Sequence, residues 1–341
     1  MSGLADDDLV GRLTAELHPA FAEIEAARQA ARAGVRRCYA LMWGGALVLC
    51  AAAWLYYQAA EVLVLAVILL AVIAPFLASV LAAGPRQTYK DTAANALVPA
   101  ICDRLGGLSY ARSPGGFDGI ARFTDLGVVG GFQQKYSTVS DQIAGSHRHT
   151  GFRLAEAELR RRTRINNTFA GGPGRNTGTT AVFAGLLFVI DVPREIAGRI
   201  LIARDQGAVG NALSGVFKQF GGRERVRFDD PEFEQRFQVY ASGQEPARAV
   251  LGEGLRRTFC AIDDMFRRRG LQAAFDGRDF LLAVKTPNRL ADAFAVFKPI
   301  ENPSKIVAKV VNRLTLAHRV IDHLHGEPPA AAHVLSAPAN G

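Results

Sequence analysis

The chain has 341 residues, 49% of them apolar, with 40 lysines and arginines against 32 acidic residues and a pI near 9.6. This composition excludes a disordered chain and a collagen-like fibre, and the net charge of +8 suits an anionic lipid surface or a nucleic acid as partner. The four cysteines form no CxxC pair, which argues against a disulfide framework and a zinc knuckle and favours a reducing compartment. Composition, net charge and cysteine content indicate no particular biochemical activity.

Residues 1–37 are predicted to form an amphipathic helical segment. Apolar residues recur along one side of it at spacings of four and three, at Leu9, Leu13, Leu17, Phe21 and Ile24. Such a stripe can pack on the soluble part of the chain, pair with a second copy or lie on a membrane, and Pro19 can divide the helix. Five bases and six acids leave little attraction to anionic lipid, so packing is the favoured interpretation.

Residues 38–84 are predicted to form a transmembrane helical hairpin. Two stretches, 39–57 and 62–83, contain nineteen and twenty-two residues without a charged side chain. As helices they are roughly 28 and 33 Å long, enough to cross a hydrocarbon layer of about 30 Å. Only four residues separate them, so the chain turns back at once, and Pro75 is expected to kink the second span. A buried helical hairpin in a soluble core is the alternative.

The cations that flank this hairpin predict its orientation. Bases precede and follow it but are absent from the connecting turn, and they are Arg28, Arg32, Arg36, Arg37, Arg86 and Lys90. By the positive-inside rule both termini are predicted to be cytoplasmic, in a multi-pass protein of the bacterial inner membrane. A cleaved signal peptide is disfavoured because the apolar run starts late and Asp6, Asp7 and Asp8 stand where a basic leader belongs.

Residues 85–326 predict a cytoplasmic α+β domain with an antiparallel sheet and packed helices, followed at 327–341 by a disordered tail. Gly84 and Pro85 are expected to end the second span. Apolar spacing predicts helices over 88–105, 251–266 and 303–321. Alternating and β-branched stretches predict strands over 149–164, 179–191 and, after a turn at Pro193, 195–204.

Two further strand predictions concern the end of this domain. Phe233, Phe237 and Val239 are predicted to share one face of a strand. The Asp276–Gly277 dipeptide predicts a two-residue hairpin turn between strands at 271–275 and 278–285, because such turns need a positive φ.

Three groups of residues were weighed as chemical sites, and none predicts a catalytic, cofactor or metal site. The glycine-rich segment 171–180 lacks the lysine of a phosphate loop and precedes a strand, so we expect a flexible loop. Glu156 and Glu158 project on one side of a strand, and we expect them to be exposed and to face the neighbouring arginines. The histidines form two sequence groups without metal-ligand spacing, and we expect them to be solvated: His147 and His149, then His318, His323 and His325.

Basic runs supply the candidate surface for an anionic lipid or a partner, and its residues are Arg160, Arg161, Arg162, Arg223, Arg225, Arg227, Arg267 and Arg268. A domain tethered at an anionic leaflet gains on the order of 1 kcal/mol per suitably placed base. Nucleic-acid binding is disfavoured because no reading module or interleaved aromatic pattern accompanies these bases.

Four short stretches follow one another in the soluble part of the chain. They are DQIAG at 141–145, FRLAEAEL at 152–159, VFAGLL at 182–187 and FEQRFQVY at 233–240, and the segment from 247 to 285 continues the series. In this order, and with two spans before them, they resemble the bacterial membrane proteins grouped as domain of unknown function family 3137, over residues 88–324. The glycine-rich segment 171–178 and the many arginines depart from that pattern.

The resemblance implies no reaction, cofactor or catalytic residue, since the family has none assigned. Its members are often encoded beside LemA-type membrane proteins, which implies a LemA-like membrane protein as partner. We therefore predict a non-enzymatic inner-membrane protein whose cytoplasmic domain binds or scaffolds a protein partner or an anionic lipid surface. A membrane-bound enzyme acting on lipid headgroups and an accessory subunit of a transport complex are the alternatives, and the oligomeric state is left open.

Overall fold

The computed structural model describes residues 7–57, 60–165, 176–204, 224–266, 270–286 and 289–325. The chain divides into two compact units. One, here called the helical unit, comprises Leu13–Ala100 and Leu290–Ile306. The other, here called the sheet unit, comprises Met1–Arg12, Ile101–Arg289 and Val307–Gly341. The predicted tail at 327–341 and most of the glycine-rich segment, 171–175, lie outside the described residues.

Four helices open the chain: α1 (Asp7–Glu16), α2 (His18–Tyr57), α3 (Ala60–Leu81) and α4 (Ala83–Leu105). Pro19 is the second residue of α2, where its missing N–H leaves no intrahelical bond unmade, and it divides the helical segment as predicted. Four members of the apolar stripe, all in the helical unit, are buried: Leu13, Leu17, Phe21 and Ile24. Leu9 is half-buried. Packing is therefore the correct interpretation of that stripe.

The second apolar helix ends earlier than the sequence predicted. The break falls at Ala82, and Gly84 and Pro85 lie in the first turn of α4 instead of terminating α3. The physical reason is that proline is tolerated in the first turn of a helix, so Pro85 can begin one as readily as it ends one. Pro75 lies inside α3, as expected.

The described residues of the sheet unit form seven strands: β1 (Ser109–Ala111), β2 (Thr138–His147), β3 (Thr150–Ile165), β4 (Asn176–Arg204), β5 (Glu224–Val226), β6 (Phe237–Ala241) and β7 (Leu271–Lys285). All the pairings are antiparallel, in the order β1-β2-β3-β4-β6-β5, and β7 pairs with β4. The described helices of this part are α5 (Ile120–Asp125), α6 (Pro231–Arg236), α7 (Gln244–Val250), α8 (Glu253–Met265) and α9 (Pro303–Leu324). The predicted α+β class with an antiparallel sheet is confirmed.

The predicted hairpin at Asp276–Gly277 is present inside β7. The amide of Lys285 donates to the carbonyl of Gly270 at 2.9 Å, and the rings of Phe275 and Phe280 lie 4.4 Å apart. Fifteen residues of straight strand would separate Gly270 and Lys285 by about 50 Å, so the two halves of β7 must lie side by side. Gly277 has a φ of 62°, the positive value that such a turn requires.

The turn predicted at Pro193 is present inside β4. Residues 185–191 pair antiparallel with the second half of β7, and residues 196–202 pair antiparallel with its first half. Because the two halves of β7 run in opposite directions, the two parts of β4 also run in opposite directions, and the chain reverses between Asp191 and Ile196. Pro193 lies in that interval, where the ladder is interrupted and its missing N–H leaves no ladder bond unmade.

Phe233 corrects a second prediction, because it belongs to α6 and not to the strand that carries Phe237 and Val239. The side chain of Asp230 accepts a hydrogen bond from the Phe233 amide at 3.1 Å, which caps α6 at its start. The local cap outweighs the alternation that the sequence suggested, and Phe233 still reaches the ring of Phe237 at 5.2 Å.

The sheet carries a core on each side. On one face, Ala155, Ala157 and Leu159 of β3 pack with residues of the segment around α5, including Phe123. On the other face Glu156 contacts α9, and Phe280 of β7 contacts Phe259 of α8. The alternation of β3 thus directs neighbouring residues to opposite layers, and Glu156 faces the layer formed by helices.

Candidate functional site

The structure brings the two sequence groups of histidines together. His147 ends β2, Thr150 begins β3, and the turn between them places Arg148 and His149 at φ values of 51° and 61°. Three residues from the last turns of α9 and just after it, His318, Asp322 and His325, meet this turn. The prediction of solvated histidines is wrong for His147 and His318, because the end of α9 covers them.

Asp322 is the centre of this cluster. Its side chain is 0% exposed, and one carboxylate oxygen, Oδ1, lies 2.8 Å from His147 Nε2 and 2.8 Å from Arg148 Nε. The second oxygen, Oδ2, is buried without a hydrogen-bond partner among the described residues. A buried carboxylate needs a partner charge and hydrogen bonds, and the β2–β3 turn supplies both.

His318 lies beneath His147. The two imidazoles are stacked at 4.2 Å with an interplanar angle of 12°, and the Phe152 ring packs edge-on at 5.5 Å. His318 is 5% exposed, and neither ring nitrogen has a hydrogen-bond partner among the described residues. Burial, reinforced by His147 and opposed by Asp322, lowers the pKa of His318 to about 4. The ring is therefore neutral near pH 7.

Two more histidines complete this end of α9. Thr150 Oγ1 lies 2.8 Å from His325 Nε2, which ties the chain after α9 to the start of β3. Burial lowers the pKa of His323, and a Cβ on Gly254 would come within 3.0 Å of its Nδ1. Within the described ranges, no three His, Cys, Asp or Glu side chains are placed to hold a metal ion.

The two candidate carboxylates occupy different environments. Glu156 is 2% exposed and pairs with Arg313 of α9, with Arg289 Nε 3.8 Å from its other oxygen. Glu158 is half-buried between Arg289 NH1 at 3.1 Å and Arg160 Nε at 2.7 Å. The predicted pairing with a neighbouring arginine is confirmed for Glu158. Exposure of Glu156 was a wrong prediction, because α9 covers that face of β3.

These contacts join α9 to β2 and β3 along much of the helix. Arg313 near its middle holds Glu156, and His318 and Asp322 near its end hold the β2–β3 turn. Arg313 and Asp322 each contact an opposite charge on the strands or their turn, and His318 stacks on the ring of His147. These contacts hold α9 against the sheet and are here called the clamp. The sequence did not identify Asp322, Arg313 or Arg289 as members of this arrangement.

A separate buried acid, Asp141, begins the first stretch of the family resemblance. It is 1% exposed with a φ of 53°, and it accepts from Tyr110 Oη at 2.6 Å and Arg112 NH1 at 2.5 Å. Burial, with the neighbouring Asp141 charge, raises the pKa of Tyr110. The positive φ and the register shift after Ser140 are bulge features that no sequence period signals.

The predicted basic surface is divided in the fold. Arg160, Arg161 and Arg162 lie on β3, whereas Arg225 lies on β5 and Arg227 just after it, with strands of β4, β6 and β7 between them. Arg160 and Arg225 are paired with Glu158 and Glu234, while Arg161 and Arg227 are exposed. The remaining candidates, Arg223, Arg267 and Arg268, lie outside the described residues.

A cavity of about 40 Å³ lies at the end of the sheet, between residues of β4 and β7 that include Phe183, Arg204 and Lys285. A volume of this size holds a water molecule or two, whereas sites for drug-sized ligands are several hundred Å³. Cys102 and Cys260 are buried elsewhere, and desolvation raises their pKa values to about 12 and about 11.

The fold thus defines an α+β domain, with an antiparallel sheet clamped by a long terminal helix, that follows a pair of apolar helices. Residues 181–325 match the family described as "Protein of unknown function (DUF3137)". The family predicted from the sequence is therefore confirmed over these residues, which include the stretches at 182–187 and 233–240. The stretches at 141–145 and 152–159 precede the matched range.

Other comparisons add little. No curated protein matches the chain. A crystal structure of the mycobacterial trehalose monomycolate transport factor A, TtfA, is similar over 68% of this chain and 91% of that chain, with 9% sequence identity and a TM-score of 0.31. A likeness of this strength supports no inference about shared function.

The buried pair between Arg313 and Glu156 yields a stability prediction. Arg313→Ala leaves a buried carboxylate with a weaker set of partners, and we expect a loss of about 3 kcal/mol in the free energy of unfolding, measured by denaturant unfolding of the purified protein. Arg257→Ala is the matched control, because its pair with Glu253 is exposed on both sides and is expected to contribute under about 1 kcal/mol. Equal effects of the two substitutions would contradict the clamp.

The buried His318 yields a pH prediction. Its folded pKa of about 4 lies below the unfolded value of 6.5, so the unfolded chain binds the extra proton between these values and stability falls as the pH falls. The shift corresponds to about 3 kcal/mol lost between pH 6.5 and 4, and none of it is lost above pH 6.5. Unfolding measured across this range should therefore show a smaller acid loss for His318→Gln than for the natural chain. The exposed His149→Gln should match the natural chain, and a His318→Gln profile that also matches it would refute the assignment.

Proposed function

We propose that the chain is an integral membrane protein in which α2 and α3 form a transmembrane hairpin and the sheet unit acts by binding at the cytoplasmic surface. One observation carries the proposal. Sixteen large apolar side chains on α2 and α3 are strongly exposed, with Leu55 at 76% and Phe76 at 70%. In the described part of the chain α2 is long and apolar enough to cross a membrane, and only 6% of its most apolar stretch is buried.

The size of this exposure favours a membrane over a soluble core as the environment of α2 and α3. Burying one large apolar side chain stabilises a protein by about 1.5–3 kcal/mol relative to leaving it in water. Sixteen such side chains left in water therefore represent tens of kcal/mol of lost stabilisation. A folded domain is stable by only about 5–15 kcal/mol. The helices therefore need a covering that the described part of the chain does not provide, and a bilayer provides one along their whole length.

The contact between α2 and α3 supports a hairpin of two spans. Ala74, Ala78 and Ala82 recur every fourth residue and are 2%, 0% and 0% exposed, and Ala46 of α2 is buried as well. Large side chains of α3 that the structure describes, such as Ile68 and Phe76, point outward. Small residues inside and large ones outside are typical of helices that pack closely in lipid, where no hydrophobic force draws helices together.

The sheet unit supports binding better than catalysis. Glu156, the more buried of the two candidate carboxylates on β3, is held by Arg313 and Arg289. Exposed bases on this unit, such as Arg161 and Arg227, complement an anionic lipid surface or an acidic face of a protein partner. An anchored domain with such a surface is suited to scaffold a partner at the membrane.

Cysteine accessibility tests both the number of spans and their orientation. In a background where the four natural cysteines are replaced by alanine, Glu61→Cys should react with a membrane-impermeant maleimide on intact bacterial cells that express the chain. Glu301→Cys, exposed in the helical unit, should react only after permeabilisation, because two spans return the chain to the cytoplasm.

Labelling at Glu61→Cys and Glu301→Cys distinguishes two membrane spans from one. If α2 alone crossed the membrane, Glu301→Cys would react on intact cells together with Glu61→Cys, and the hairpin would be excluded. If neither position reacted before permeabilisation, the chain would not expose the α2–α3 connection outside the cell, and the proposed topology would fail.

A further inference from the structure

Phe297 is unusual among the exposed side chains. Its side chain is 52% exposed. In the described ranges, the other strongly exposed large apolar side chains all lie on α2 and α3. Its neighbours Phe294 and Val296 are 0% and 5% exposed. The loop that leads to α9 therefore has an inner side that packs in the helical unit and an outer side that presents an aromatic ring.

The loop that carries Phe297 is fixed in place by buried contacts. Arg28 of α2 donates from NH1 to the carbonyl of Val296 at 3.1 Å, and its Nε bonds to Glu25 at 2.8 Å. The Phe294 ring packs edge-on against Tyr89 of α4 at 6.5 Å. Exposure of Phe297 is thus imposed by the packing of its neighbours.

Phe297 lies close to the point where α3 would leave the bilayer. The Cζ of Arg86 is 6.0 Å from the centroid of its ring. Arg86 follows the end of α3 at Leu81 by five residues, and helical hydrogen bonds continue from Ala78 to Ala82 and from Ala82 to Arg86. Five residues of helix rise about 7.5 Å, and each headgroup layer is about 5–8 Å thick. Arg86 and the ring beside it are therefore at headgroup depth.

We propose that Arg86, Phe297 and Lys298 form a contact with anionic phospholipid headgroups, here called the headgroup contact; this rests on the membrane topology proposed above. An aromatic ring at the interface buries its apolar body among the glycerol and acyl carbons, and flanking cations reach the phosphates. Lys298 is exposed next to Phe297, and Glu301 is the acid nearest to it in sequence. The headgroup contact ties the loop before α9 to the lipid surface.

Quenching by brominated lipid tests the headgroup contact in the full chain. The two natural tryptophans, Trp43 and Trp54, are replaced by phenylalanine, and Phe297→Trp supplies the fluorophore. The protein is reconstituted in vesicles of equal parts phosphatidylcholine and phosphatidylglycerol, with bromine near the glycerol end of the acyl chains of one lipid or the other. We expect strong quenching, and stronger quenching by the brominated phosphatidylglycerol.

The charges of the headgroup contact are tested by neutral substitutions in the same background. Arg86→Gln and Lys298→Gln should each lower the preference for phosphatidylglycerol about fivefold. Arg257→Gln, which removes an exposed base from α8 in the sheet unit, is the matched control and should leave the preference unchanged.

The outcomes separate this proposal from the topology on which it rests. Fluorescence that neither brominated lipid quenches, in protein that alkaline carbonate leaves in the vesicles, would overturn the headgroup contact alone and would indicate that water or a protein covers Phe297. Equal quenching by the two lipids would overturn the anionic specificity. Release of the protein by carbonate would instead overturn the transmembrane hairpin.

Discussion

Apolar side chains on α2 and α3 find no cover among the described residues, and the organisation of the molecule depends on what covers them. The same helix, α2, is buried at Phe21 and Ile24 near its start and exposed at Leu47 and Leu55 further on. A single helix of 40 residues thus passes from a packed environment to one that the protein does not supply. Lipid meets that need, and it also explains why the inner seam of the helix pair is made of alanines.

Charge is buried in the sheet unit at the interface between α9 and the strands. Glu156, Arg313 and Asp322 are all nearly inaccessible, and isolated ions in such places would be strongly destabilising. Pairing with opposite charges offsets the free-energy cost of removing these ions from water, without adding much net stability. The effect of such groups is to fix which part of the helix lies over which part of the sheet, since shifting α9 by one turn would separate Arg313 from Glu156 and Asp322 from His147 together.

Local patterns predicted much of the fold, because their causes are local. β3 and α9 follow from apolar alternation and helical spacing, and the hairpin in β7 follows from the need for positive φ at Gly277. The turn at Pro193 was likewise predicted correctly. The strand position of Phe233 was wrong, because the Asp230 cap begins a helix there. The clamp could not be predicted, since His147 and Asp322 are 175 residues apart in sequence and meet only in the folded chain.

Whether lipid covers the apolar helices is decided most directly by alkaline carbonate extraction of membranes that contain the full chain. Alkali strips proteins held by charge, including any held only by the arginines, and leaves those whose helices are embedded in hydrocarbon. The chain is expected to stay in the membrane pellet. Recovery of the intact, unaggregated chain in the carbonate supernatant would contradict the transmembrane hairpin.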